Sequence, residues 1–108
     1  MIRRFINWLR GLFGRAATYR IQVLADVPDR VDDRTLYVIG ERQNYWLAIM
    51  RCPCGCGAEI QLPLSGSDGP RWTVSGTPKA PTLTPSVHRT KGCRSHFFMR
   101  GGTIIWCR

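Results

Sequence analysis

The chain has 108 residues, enough for one domain at the small end of the range that builds a core unaided. Seven prolines and eleven glycines exclude a helical bundle, and five cysteines, odd in number and clustered, exclude a secreted disulfide framework. The net charge of +9 lies at the ends: residues 1–20 hold five arginines and residues 69–108 seven basic residues, neither with an acid, whereas 21–68 is net acidic.

Met1 to Arg15 reads as an amphipathic helix. Ile2, Phe5, Ile6, Leu9, Leu12 and Phe13 recur at helical spacing, with Arg3, Arg4, Asn7 and Arg10 opposite. Phe5, Trp8, Leu9, Leu12 and Phe13 beside arginines suit a partner-docking or membrane-surface helix, or a face packed on the domain's own sheet. The expected organisation is therefore a basic helix over 1–17 and a β domain over 18–108. No stretch approaches the ~20 apolar residues that span a bilayer, and no signal-peptidase site follows the basic start. A reducing, cytoplasmic location is expected, with peripheral membrane contact through the helix.

From Thr18 the period changes to two. Tyr19–Leu24, Thr35–Gly40 and Tyr45–Met50 read as strands, and Val27–Arg34 as a charged turn whose Asp29, Asp32 and Asp33 are solvated rather than catalytic. Ala58–Leu62 and Arg71–Ser75 follow as strands, Gly76–Pro81 as a loop, and Ser86–Arg89 as an exposed segment. His96–Arg100 and Thr103–Trp106 around Gly101-Gly102 spell a hairpin. Trp46, Trp72 and Trp106 are expected as core anchors. The fold class is mainly β: a small antiparallel domain stapled by one zinc site, with the helix in front.

The staple is read from Cys52-Pro53-Cys54-Gly55-Cys56-Gly57. Three thiols in a Pro/Gly turn cannot all enter one core and are badly placed to pair with one another. Cys93 and His96 offer two more donors at i and i+3. Four of these five, Cys52, Cys54, Cys56, Cys93 and His96, suffice for one tetrahedral zinc ion per chain. Which four is open; His88 is a reserve ligand, and Cys107 a packed thiol. The first loop lacks the histidine of a Rieske site, and zinc-deaminase, HExxH and thioredoxin motifs do not occur. A closed, cysteine-rich site without those motifs leads to the expectation that the chain is not an enzyme and takes no small-molecule substrate.

Cys52-Pro53-Cys54-Gly55-Cys56-Gly57, Pro63-Leu64, Trp72, Leu83-Thr84-Pro85-Ser86, Cys93-Arg94-Ser95-His96-Phe97-Phe98 and Gly102-Thr103-Ile104-Ile105-Trp106 together resemble a bacterial and phage family predicted to bind metal. The resemblance spans about residues 19–107. Some of its members resemble accessory proteins encoded beside ubiquitin-like activating and conjugating enzymes and a JAB-type peptidase; others resemble prophage proteins. It implies a metal-binding β domain and brings no activity with it. The leading expectation is a zinc-stabilised adaptor for a protein partner, accessory to ubiquitin-like conjugation. The alternatives are a nucleic-acid binder using Arg71, Trp72, Arg89, Lys91, Arg94 and Arg100, and a protein held at anionic membranes by residues 1–15.

Overall fold

The computed structural model describes residues 18–66 and 69–107. The expected helix over 1–17, with Phe5, Trp8, Leu9, Leu12 and Phe13, lies outside them. The described residues form two four-stranded sheets and no helix. In the first, β1 (Arg20–Leu24), β2 (Thr35–Glu41), β3 (Asn44–Arg51) and β4 (Glu59–Pro63) lie side by side in chain order. The second sheet holds β5 (Thr73–Thr77), β6 (Ala80–His88), β7 (His96–Arg100) and β8 (Thr103–Trp106), also in chain order.

Alternation sorts the side chains of the first sheet onto two apolar faces. Leu36, Val38, Ala48, Met50, Ile60 and Leu62 face the second sheet and meet Leu83, Val87, Phe97, Met99 and Ile104 in the main core. Tyr37, Ile39, Leu47 and Ile49 point the other way and pack with Val31, from the loop joining β1 to β2. That loop crosses the outer face, which lets β1 return parallel to β2. The all-antiparallel expectation therefore needs correcting at this one pairing: a ten-residue connection is long enough to reverse the chain twice, and burial of Val31 holds it down.

Main-chain bonds tie the layers. Tyr19 N–H donates to Gly102 O (2.6 Å), Ile21 N–H to Pro78 O (2.7 Å) and Trp72 N–H to Pro63 O (2.9 Å).

β6 departs most from the sequence reading. Its nine residues cover a stretch expected as loop and exposed segment, with Pro81 and Val87 buried. Pro81 and Pro85 disguise the strand, because proline cannot donate to a ladder. The second falls where the register with β7 slips between Leu83 and Val87, so no donor is demanded of it. The tryptophans also differ from expectation. Trp46 and Trp106 are 48% and 49% exposed, with only Trp72 packed against the main core. Trp106 makes an edge-to-face pair with the buried Phe97, with 5.7 Å between ring centroids, while about half of it stays in solvent.

Candidate functional site

β3 carries Cys52 from the core into the turn, where the residue is 4% exposed. Cys52 N–H donates to Ala58 O and Gly55 N–H to Cys52 O, closing the bend. Gly55 sits at φ 91°, a left-handed conformation that a side chain would oppose, and this lets Cys54 and Cys56 turn back toward Cys52. The fourth thiol comes from the other sheet. The loop from β6 to β7 is closed by Arg89 N–H donating to Ser95 O (2.8 Å), and Cys93 projects from it.

The sulfurs of Cys52, Cys54, Cys56 and Cys93 all lie within 4.8 Å of one another. Cys52 Sγ is 3.4 Å from Cys54 Sγ and 3.5 Å from Cys93 Sγ. Four thiolates at metal–sulfur bonds of about 2.3 Å in a tetrahedron stand about 3.8 Å apart. The group can thus hold a metal ion with little adjustment. Its polar surroundings suit thiolates. Ser95 Oγ, on a buried residue, lies 3.1 Å from Cys93 Sγ and 3.5 Å from Cys52 Sγ, and an Arg89 guanidinium N–H donates to both Cys93 (3.5 Å) and Cys56 (3.7 Å). Hydrogen bonding from Ser95 brings Cys93 down to about 6 and also lowers Cys54, whereas burial pushes Cys52 up to about 11.

His96 does not join the sulfurs. Its Nε2 lies 3.0 Å from Ser86 Oγ. Ser86 and His88 on β6 and His96 on β7 share the outer face of the second sheet, and His88 pairs with His96 across the ladder. The two imidazoles stack at 4.3 Å between centroids and 18° between planes, which limits how the His96 ring can turn. On the inner side Trp72 Nε1–H donates to Ser86 O (3.3 Å), pinning the serine backbone. A hydroxyl at this distance from an imidazole nitrogen has the separation of a nucleophile and its base. With the ring proton on Nδ1, Nε2 accepts from Ser86 Oγ–H. The cysteine corner and this pair are covalent neighbours, since Ser95 immediately precedes His96.

The residues proposed for nucleic acid scatter by role. Arg89 serves the sulfurs, the Trp72 indole N–H is engaged by Ser86, and Arg100 covers the Phe98 ring at 4.4 Å. Arg71, Lys91 and Arg94 are exposed. Cys107 is half-buried, its N–H donating to His96 O. Asp33 meets Arg51 at 3.8 Å near the surface. Sequence reasoning missed Ser86 and Ser95 altogether. The available signal for Ser86 was its place in Leu83-Thr84-Pro85-Ser86, one of the runs carrying the family resemblance.

A model of the family described as "Bacterial ubiquitination-like system serine protease (BubE)" matches residues 23–107, and the chain belongs to that family. Comparison with curated proteins and with solved structures gives no match. Membership agrees with the ubiquitin-like conjugation association that the motifs suggested, and a ubiquitination-like system implies protein partners. It overturns the expectation of a non-enzyme. That expectation came from a closed-looking cysteine site and from the absence of Rieske, zinc-deaminase, HExxH and thioredoxin motifs, none of which bears on a serine protease.

Proposed function

We propose that the chain is a serine protease of a bacterial ubiquitination-like system, with Ser86 as nucleophile and His96 as general base. The observation that carries the reading is the 3.0 Å approach of Ser86 Oγ to His96 Nε2 in a chain of this family. Ser86 Oγ attacks a peptide carbonyl carbon while its proton passes to His96 Nε2. The tetrahedral adduct collapses as that proton moves to the departing amine, leaving an acyl ester on Ser86. Water, deprotonated by the same nitrogen, then cleaves the ester and returns the proton to Oγ. Stacking by His88 and the Trp72 bond to Ser86 O hold the two groups in register.

Cys52, Cys54, Cys56 and Cys93 would hold one zinc ion, whose strong sulfur bonds supply a cross-link between the β3–β4 turn and the β6–β7 loop. In this reading the ion is structural. It steadies the start of the strand bearing His96 and stands apart from the reacting atoms. All four donors are sulfur, which suits a closed tetrahedral site. His96 is thereby reassigned from ligand to base.

Labelling with a fluorophosphonate probe tests this. Intact-mass and peptide-mapping spectra should place one adduct on Ser86. Ser86→Ala should abolish it and His96→Gln should slow it by roughly 10²–10⁴-fold. Undiminished labelling of Ser86→Ala would refute the assignment.

A further inference from the structure

The outer face of the second sheet is polar around Ser86 and His96 and apolar beside them. Side chains alternate along β7, so Phe97 and Met99 are fully buried while His96, Phe98 and Arg100 face outward. Phe98 pairs with Ile105 of β8, which is 41% exposed although its neighbour Ile104 is buried. On its other side Phe98 meets the irregular stretch of β6. Leu83 pairs with Met99 and Val87 with Phe97, so Thr84, Pro85 and Ser86 stand against Phe98 alone. The Ser86 side chain therefore borders an apolar surface made of Phe98 and Ile105.

The chemistry of Ser86 and His96 gives this surface a direction. The nitrogen that takes the serine proton later delivers it to the departing amine, so the leaving group must lie over His96. Ser86 Oγ bonds to the carbonyl carbon, and the acyl part of the substrate extends the other way. That way along β7 lie Phe98, about 7 Å from His96 at two residues' rise, and then Arg100. The residue that supplies the scissile carbonyl is thus the one whose side chain reaches Phe98 and Ile105.

Charge adds a second requirement. The Arg100 guanidinium lies over the Phe98 ring, 4.4 Å from its centroid, and among the described residues it meets no carboxylate. A guanidinium braced on a ring gives up less side-chain freedom when it grips a carboxylate. Residues 69–108 hold seven basic residues and no acid, so no side chain of the second sheet competes for it. In an extended peptide, residues two apart face the same side at about 7 Å, the spacing of Phe98 and Arg100 along β7.

We propose that this face is the acyl-side subsite of the protease: Phe98 and Ile105 seat an apolar side chain from the residue that supplies the scissile carbonyl, and Arg100 pairs with an acidic side chain two residues before it. The substrate class is a peptide with an acidic–any–apolar run ahead of the cleaved bond. The proposal rests on the reading of Ser86 as nucleophile, and the experiment separates the two.

Full-chain protein is treated with three tripeptide diphenyl phosphonates, acetyl-Glu-Ala-Leu, acetyl-Lys-Ala-Leu and acetyl-Glu-Ala-Ser, each with phosphorus in place of the last carbonyl carbon. Intact-mass spectra follow the rate at which Ser86 is phosphonylated and phenol released. Diisopropyl fluorophosphate, which carries no peptide, is the reference for the serine itself. The Glu-Ala-Leu probe should react about fivefold faster than Lys-Ala-Leu, the upper end for an exposed ion pair. It should react about tenfold faster than Glu-Ala-Ser, as for a leucine side chain half removed from water. Arg100→Glu should reverse the Glu/Lys order, and Ile105→Ser should narrow the Leu/Ser difference. Each readout is a ratio of two probes on one protein, so a poorly folded variant lowers both rates and leaves the ratio standing. If the fluorophosphate labels Ser86 while the three phosphonates react alike or not at all, the subsite is overturned and the nucleophile survives. A Glu/Lys ratio untouched by Arg100→Glu would overturn the subsite too. So would a dimer that Ile105→Ser dissociates, since a second copy would then cover the patch. Absence of labelling at Ser86 by every reagent would refute the nucleophile and the subsite with it.

Discussion

Replacing Cys93 by serine isolates the cross-link from every other role of the cysteine corner. Cys52, Cys54 and Cys56 all sit on the β3–β4 turn, so Cys93 is the sole donor from the second sheet. It is exposed, and serine in its place opens no cavity in the core. With zinc bound, Cys52 and Cys93, 41 residues apart, become the ends of a closed loop. Treated as a covalent closure of that length, the constraint removes unfolded-state entropy worth about 4 kcal/mol at 25 °C. For a domain of this size, each kcal/mol shifts the melting temperature by about 4–8 °C, so the difference should be roughly 15–30 °C. Differential scanning calorimetry of the zinc-loaded wild type, the wild type with chelator, and Cys93→Ser in both conditions tests the account. Cys93→Ser should melt near the chelated wild type whether zinc is present or not. Cys107→Ser, which removes a thiol outside the cluster, should keep the full zinc response. If Cys93→Ser keeps the wild-type response to zinc and chelator, the sheets are not joined through this residue.

Other outcomes follow from the same geometry. Phe97 is fully buried between the sheets against Trp106, so Phe97→Ala should cost about 3–5 kcal/mol in urea unfolding, with little change in the slope. Cys93 titrates at about 6 and Cys52 at about 11, and the thiolate is the reactive form above each value. In metal-free, reduced protein at pH 7, iodoacetamide mapping should therefore find Cys93 modified first and Cys52 last; below about pH 6 the lead of Cys93 should fade. Gly40 lies at φ 152° beside the β2–β3 register shift, and a Cβ there would collide with the Asn44 carbonyl. Gly40→Ala should lower the thermal midpoint by several degrees, as expected for about 1–3 kcal/mol of strain. Gly55→Ala, with open space around its Cβ, should act through backbone conformation alone and cost less.

Much of the architecture was legible because it rests on local rules. Period-two runs bounded by turn residues locate β1 to β4, and the Gly101-Gly102 pair joins β7 to β8. A metal-holding corner was visible for a similar reason: three thiols on so short a turn cannot be satisfied individually. Where the rules failed, a distant partner had changed their meaning. Pro81 and Pro85 argue against a strand at β6, yet Pro81 is buried there and Pro85 falls at a register slip. Trp46 and Trp106 have the bulk of core residues, but nothing in the chain order says which strand positions the facing sheet will cover.

The histidine shows the division most sharply. By itself the sequence determined that a cysteine-rich turn and a Cys–His loop exist, because turn chemistry and donor type are properties of neighbouring residues. Only the tertiary structure decided that Cys93 faces the turn while His96, three residues on, faces Ser86. Once β7 pairs with β6, His96 and Ser86 stand on one face of a sheet, whereas Cys93 hangs off its end toward the other sheet. That separation is fixed by ladder register between residues ten apart, a quantity set by packing and not by the spacing of letters.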